Sequence, residues 1–454
     1  MSDLVWARST MALSLAFHII FASISMVLPF YMARAYAIYL KTGDPLHKRL
    51  TKAWARGAAV LFATGAVSGT ALSFQLGLLW PGFMRHAGPI IGMPFSLEGA
   101  AFFLEAIFFG LFIYGWDRLS PKWHLVSAVM VGVCGLASGV LVVAANGWMN
   151  SPAGFIWENG AATNIDPWAA MFNRAWPLQA LHMLVAAIQA TSFAVMGVHA
   201  WSRLSVRGAT DEARLHEEAL RIVAPFAIVA SLLQPVVGDL SAKSVAERQP
   251  EKLAAFEAHF KTERGAGLWI GGIPDEENET VRFGVQIPKA LSILAFADPD
   301  AEVLGLEAFP KENRPPVLIP HLSFQVMVGI GTLLFAVSGF CLYARRFRPS
   351  WLLHSRFLKL LVALTPLGFV ALEAGWFVTE VGRQPWIIYG IMRTKDAVTP
   401  VPGQWITFAM VALLYLLLGV MSALVLWRLF VREIRSTRAE RQEPPRALVE
   451  EEAL

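Results

Sequence analysis

Nine stretches of this chain, each about 20 or more residues long, are almost wholly apolar, and that is the length at which a helix crosses the hydrocarbon of a bilayer. They run over about 11–40, 54–79, 94–116, 124–145, 178–202, 219–238, 321–344, 356–378 and 403–432. Lipid offers the backbone no hydrogen-bond partners, so each stretch must satisfy its own N–H and C=O groups as a helix. The expected fold is an all-α membrane protein of about nine transmembrane helices. Only 16% of the 454 residues are charged, where soluble domains carry about a quarter, so a set of soluble domains is excluded. The first stretch is too long for the core of a cleaved signal and should remain as a span.

The net charge of +4 does not mark a nucleic-acid surface, because Lys and Arg lie between the apolar stretches rather than along one face. No nucleic-acid partner is expected. The basic residues alternate from loop to loop instead. Lys41, Lys48, Arg49 and Lys52 fill the first loop, Arg118 and Lys122 the third, Arg203, Arg207, Arg214 and Arg221 the fifth, and Arg345, Arg346, Arg348 and Arg356 the seventh. The loops between them are sparser, with Arg85 in the second and Arg174 in the fourth. The positive-inside rule then places the N-terminus outside and the C-terminus in the cytoplasm, as an odd number of spans requires.

This order divides the chain into spans one to six (1–238), a long external loop (239–320), spans seven to nine (321–432) and a charged cytoplasmic tail (433–454), with disorder expected after about Arg435. A loop of that length on a membrane bundle is usually functional or disordered. Its stretch Glu251–Phe260 has a helical pattern, so part of it should fold. Cys134 and Cys341 both lie in apolar stretches and in no CxxC pattern, which excludes c-type haem attachment, an iron–sulfur centre and a zinc cluster.

An ionisable side chain at mid-membrane costs about 2.5–3.5 kcal/mol on insertion scales, so each one needs a reason. The spans contain His18, Glu98, Glu105, His182, Glu373 and Glu380. With the topology above, His18 lies about two turns in from the outer face, His182 about one turn, and Met327 between one and two turns, while Glu380 ends the eighth span on that same side. Four potential iron ligands thus fall in one outer layer. His and Met form a known axial pair for a b-type haem. For His182 and Met327 taken alone, a satisfied polar side chain and a packing methionine remain the competing account. Glu98 and Glu105 share a helical face two turns apart, which suits either a proton path or two hydrogen-bonded neutral carboxyls. Glu380 and Arg383, three apart, suit either a metal ligand beside a propionate partner or an interfacial ion pair.

Several stretches resemble subunit I of the cytochrome bd-type quinol oxidases: FQLG (74–77), LEGAAFFLE (97–105), GWDRLS (115–120), VAANGWMNSPAGF (143–155), GD (238–239) with KLAAFE (252–257), SFQVMVG (323–329) and EVGRQPW (380–386). The ordered set covers nearly the whole chain. The resemblance implies a ubiquinol or menaquinol oxidase of a bacterial inner membrane, multi-pass, with membrane quinol and O2 as substrates. It further implies subunit II as a partner, with a small single-span subunit as a further candidate.

By motif position, His182 and Met327 correspond to the ligands of low-spin haem b558. His18 and Glu380 correspond to ligands of the high-spin haems b595 and d, with a further haem b as the alternative to d. Glu98 and Glu105 correspond to the high-spin site and its proton supply, and Arg383 and Trp376 to side chains beside the haems. Lys252 and Glu257 correspond to the quinol-site pair of a short external loop. Gln325 and Ala106 depart from the arginine and serine of many relatives, as in the cyanide-insensitive branch.

The implied reaction takes quinol electrons and releases protons at the outer face, then reduces O2 to water with cytoplasmic protons, building a proton motive force without pumping. The alternatives are a b-type cytochrome that passes quinol electrons to another carrier and a proton-coupled transporter.

Overall fold

A computed structural model of the chain describes residues 2–439 apart from 159, 207 and 209, with side chains described as far as 429. Among the described residues, nine helices are long and apolar enough to cross a membrane. They are Asp3–Thr42, Pro45–Leu79, Pro81–Tyr114, Pro121–Asn150, Trp176–Ser205, Asp211–Arg248, Leu318–Phe347, Ser355–Val381 and Gln404–Leu429. The eighth is two helices, Ser355–Leu364 and Leu367–Val381, separated at Thr365 and Pro366 where proline removes a backbone donor.

Spans one to four pack as one bundle and spans five to eight as a second, and the two meet through the first, fourth and fifth spans. The ninth lies outside them against spans one and two. One apolar core runs through both bundles, with Leu28, Tyr31, Leu50, Phe112, Phe193, Val223 and Leu361 among its buried members. Small residues set the closest approaches. A Cβ added to Gly197 or Gly368 would collide with the eighth or fifth span, at Leu361 and Thr365 or at Ala190 respectively, so glycine is what lets these helices touch.

Several helices are longer than their apolar stretches. The third starts at Pro81 rather than near residue 94, and the sixth runs to Arg248 rather than 238. Hydropathy reports only the length immersed in hydrocarbon, whereas these extensions are stabilised by burial outside it. Leu79, Trp80, Phe83, Ile90 and Ile91 form a second small core with Trp148, Ile387, Ile388 and Met392. Pro81 sits at the first turn of its helix, where a missing N–H costs nothing.

The segment after the sixth span is folded. It holds a helix at Pro250–Phe256, a helix at Ala290–Phe296, and three two-stranded pairings: Glu263–Arg264 with Glu302–Val303, Leu268–Ile270 with Val285–Ile287, and Ile273–Asp275 with Thr280–Arg282. Leu253, Phe256, Leu291 and Val303 pack together with Val378 of the eighth span, which docks the segment on the bundle. At the other end the last helix continues to Ala439, past the Arg435 where disorder was expected to begin; the rest of the charged tail lies outside the described residues. Cys134 and Cys341 are both buried free thiols.

Candidate functional site

Contacts between helices fix the relative depths of the key side chains. Met26 of the first span touches Gly139 of the antiparallel fourth span. His18, eight residues before Met26, is therefore level with Asn146 and Gly147, about 12 Å along the helices from that contact. Asn146 in turn donates to Glu380, so His18 and Glu380 share one level. Thr191 donates to the Ser23 carbonyl, which puts His182 within about 6 Å of the same level. Gly375, against Met327 Sδ, lies about 7 Å below Glu380 on the eighth helix. The four side chains occupy a layer one to two turns thick.

The local bonding leaves the imidazoles directed. His18 Nδ1 is 3.0 Å from Ser68 Oγ, and that hydroxyl donates to the Gly65 carbonyl. Ser68 Oγ must then accept from His18 Nδ1–H, which leaves a lone pair on Nε2. The ring lies against Gly69, where a Cβ would come within 2.9 Å of Cε1. His182 Nε2 is 3.2 Å from the Gln234 amide, while its Nδ1 is buried with no side-chain partner among the described residues. Gly238, one turn after Gln234, leaves room beside the ring. Gln234 was missed by the sequence reading; a polar residue in a span four before a glycine was the available signal.

Glu380 is the centre of a hydrogen-bonded run. Arg383 Nη2 donates to Glu380 Oε2 at 2.6 Å, and Asn146 Nδ2 donates to Glu380 Oε1. Asn150 Nδ2 donates to Asn146 Oδ1 at 3.0 Å, and Lys252 Nζ donates to Asn150 Oδ1 at 2.6 Å. The run joins the segment after the sixth span to the end of the eighth through one turn of the fourth. Arg383 is 3% exposed, yet among the described residues its Nε and Nη1 have no partner. Burial pushes the Lys252 amine well below its ordinary value, and Arg383 adds to this against the pull of Glu380. Trp376, half-buried one turn before Glu380, packs on the main core.

Glu98 and Glu105 both face the fourth span. Ser138 donates to Glu98 Oε1 at 2.8 Å, and the Glu105 carboxylate lies against Gly135, about 3.2 Å from where a Cβ would stand. Glu105 is 4% exposed. On the fourth span these contacts lie two to three turns below Asn146, so the two carboxylates sit deeper than the layer of His18, His182, Met327 and Glu380.

Lys252 and Glu257 point apart. Five residues on a helix subtend about 140°, and Lys252 turns to Asn150 and Gly382 while Glu257 turns inward. Glu257 is fully buried, and neither of its carboxylate oxygens has a partner among the described residues. Burial pushes its carboxyl up to about 8. Gln325 clamps the neighbouring strand: it donates from Nε2 to the Trp269 carbonyl and accepts at Oε1 from Gly271 N–H, both at 2.9 Å. His321, one turn earlier, bonds the Phe256 carbonyl through Nδ1 at 3.0 Å. Gln325→Ala should cost about 1–3 kcal/mol through those two lost bonds. Limited proteolysis near 269–273 should accelerate, and an unchanged cleavage rate would show that the clamp does not hold the segment.

Comparison with known proteins identifies the family. The family model for cytochrome bd terminal oxidase subunit I matches residues 6–434. The chain is 38% identical over 431 residues to a putative cytochrome bd menaquinol oxidase subunit I of Bacillus subtilis, covering 94% of this chain and 96% of that one. It is 32% identical to the cytochrome bd ubiquinol oxidase subunit 1 of the same organism, over 96% of this chain and 94% of that one. Among solved structures, the bd oxidase of Geobacillus thermodenitrificans superposes with a TM-score of 0.89 at 39% identity, over 95% of this chain and 99% of that chain. The chain belongs to the cytochrome bd terminal oxidase subunit I family.

Proposed function

We propose that this chain is the haem-bearing subunit of a bacterial plasma-membrane quinol oxidase, and that its external segment, 239–320, binds the quinol. The observation that carries the proposal is the hydrogen-bonded run from Lys252 to Glu380, which ties that segment to the ligand layer. The donor set suits haem iron. His18 Nε2 has a free lone pair, His182 Nδ1 is buried and orphaned, and Met327 is backed by a glycine. The spare donors of Arg383 suit a propionate. His182 and Met327 would hold haem b558, and His18 and Glu380 the high-spin haems b595 and d, or a further haem b in place of d. When bound, these groups carry electrons and supply the iron chemistry of O2 reduction.

The chain's own residues bind quinol and move protons. Glu257, buried and without a partner, accepts a quinol hydroxyl proton on its carboxylate. Lys252, held by Asn150, keeps an N–H for a quinone oxygen. With the N-terminus and this segment outside, the arrangement that the alternation of basic loops supports, quinol protons leave outside. Glu98 and Glu105, deeper on the third span where it faces the fourth, pass cytoplasmic protons upward, so charge separates without pumping. Subunit II would complete the enzyme.

Lys252→Ala and Glu257→Ala should each lower quinol oxidation by about 10²–10⁴-fold, the range for a lost acid–base group, and lower oxidation of an artificial reductant much less. Equal loss with both donors would remove the quinol site from this segment. Because the Glu257 carboxyl titrates at about 8, its basic form grows as pH rises. Quinol kcat/KM should therefore climb through that pH and flatten in Glu257→Gln; an unchanged profile in the variant would exclude Glu257 as the base. Glu105→Gln should slow oxidase turnover by a similar 10²–10⁴-fold and collapse the membrane potential it builds. Full turnover and potential in that variant would eliminate the proton path.

A further inference from the structure

At the end of the bundle opposite the ligand layer, the seventh and eighth spans are joined by a turn containing a short 3₁₀ helix, Pro349–Leu353. A cavity of about 550 Å³ opens there, lined by Ala336 and Phe340 of the seventh span, Trp351 of the turn, and Arg356, Phe357 and Leu360 of the eighth. Its walls are aromatic and ordered. Phe340 stacks on Trp351 with centroids 6.0 Å apart, and Phe357 approaches Phe340 at 5.4 Å. This volume is within the range of small-ligand sites.

The charge around the cavity is one-sided. From Gly339 to Leu372 the chain carries Arg345, Arg346, Arg348, Arg356 and Lys359 and no Asp or Glu. All five are exposed, and among the described residues none forms an ion pair. The arginines of the neighbouring turns at this end are different: Arg49 pairs with Glu212, Arg203 with Glu217, Arg214 with Asp44 and Arg221 with Glu218. Arg356 thus lines the apolar groove itself beside Trp351, Arg346, Arg348 and Lys359 lie close by in sequence, and Arg345 lines a separate pocket with Glu218.

We propose that this groove is a binding site for an anionic membrane phospholipid. One acyl chain lies against Ala336, Phe357 and Leu360. The phosphate is met by the Arg356 guanidinium, whose fork geometry matches phosphate oxygens, with Arg348 of the adjoining turn supplying further positive charge. A neutral lipid would leave the cations uncompensated, and a free phosphate would leave the apolar walls uncovered.

The test uses the purified, haem-loaded complex in vesicles of phosphatidylcholine alone or with phosphatidylglycerol, followed by a detergent wash and mass analysis of the lipid retained per haem. The parent should retain phosphatidylglycerol in preference to phosphatidylcholine. Arg348→Gln with Arg356→Gln should weaken that preference by about fivefold per charge removed. Ala336→Trp, which fills the groove, should lower retention of both lipids; its haem spectrum reports whether it folds. Arg118→Gln, an exposed arginine of another turn, should change nothing. Parental retention in the double variant would overturn the proposal, as would displacement of the lipid by inorganic phosphate alone or a co-purifying polypeptide cross-linked at Leu360. The exposed charge variants keep the test decisive even where the tryptophan variant does not fold.

Discussion

His182→Ala should abolish the low-spin haem signal and lower quinol oxidase turnover by more than about 100-fold. Removing groups that merely support a metal ligand costs about 10–100-fold, and loss of the ligand itself should exceed that. The proposed ligation rests on Nδ1, buried with no side-chain partner among the described residues, on Gln234 near Nε2 and on the space that Gly238 leaves beside the ring. The fold should survive, because the ring is only half-buried and forms one side-chain hydrogen bond, so the stability cost should stay near about 1 kcal/mol. Gln234→Ala separates ligation from packing. It should shift the low-spin spectrum and leave the haem bound. A reduced-minus-oxidised spectrum unchanged in His182→Ala would rule out that ligand.

Glu380→Ala should be the most destabilising single change at the site. Arg383 is almost fully buried and its carboxylate partner is Glu380. A buried charge stripped of its partner costs about 3–5 kcal/mol, and Asn146 loses its acceptor as well. Thermal unfolding of the complex should therefore shift down sharply while a high-spin haem is lost. Glu380→Gln keeps an acceptor for Arg383 and should recover most of the stability without recovering the haem. Adding Arg383→Met to Glu380→Ala removes the orphaned charge and should restore stability but not activity. A Glu380→Ala complex that melts with the parent would show that the carboxylate does not hold the guanidinium.

The parts of this fold legible in the sequence are those with a large local energy behind them. Lipid forces helices, so nine apolar stretches became nine spans among the described residues, and the cost of an ionisable group in hydrocarbon singled out His18, Glu98, Glu105, His182, Glu373 and Glu380. Antiparallel packing then brings His18 level with Glu380 across 362 residues of chain. The helix ends were less legible. Pro81–Pro94 has the look of a loop, and it is helical because Phe83, Ile90 and Ile91 bury against Trp148 and Ile388, contacts that no local pattern reveals.

Polar networks between distant segments were least legible. Asn146 and Asn150 stood inside a motif, yet their role as the link between Lys252 and Glu380 depends on three elements meeting. The pairing of Lys252 with Glu257 rested on the family resemblance alone, since a spacing of five does not put two helical side chains on one face. Gln325 was considered for the positive charge it lacks. What it does in the fold is clamp the strand at Trp269 and Gly271.

The most direct test of the ligand layer is a pyridine haemochrome count on the purified complex, for the parent and for His18→Ala, His182→Ala, Met327→Ala and Glu380→Gln. The parent should hold three haems per copy of this chain. His182→Ala and Met327→Ala should lose the same low-spin species, and His18→Ala and Glu380→Gln should each deplete a high-spin one. Full haem content with parental spectra in all four variants would contradict the assignment of these side chains as the iron ligands.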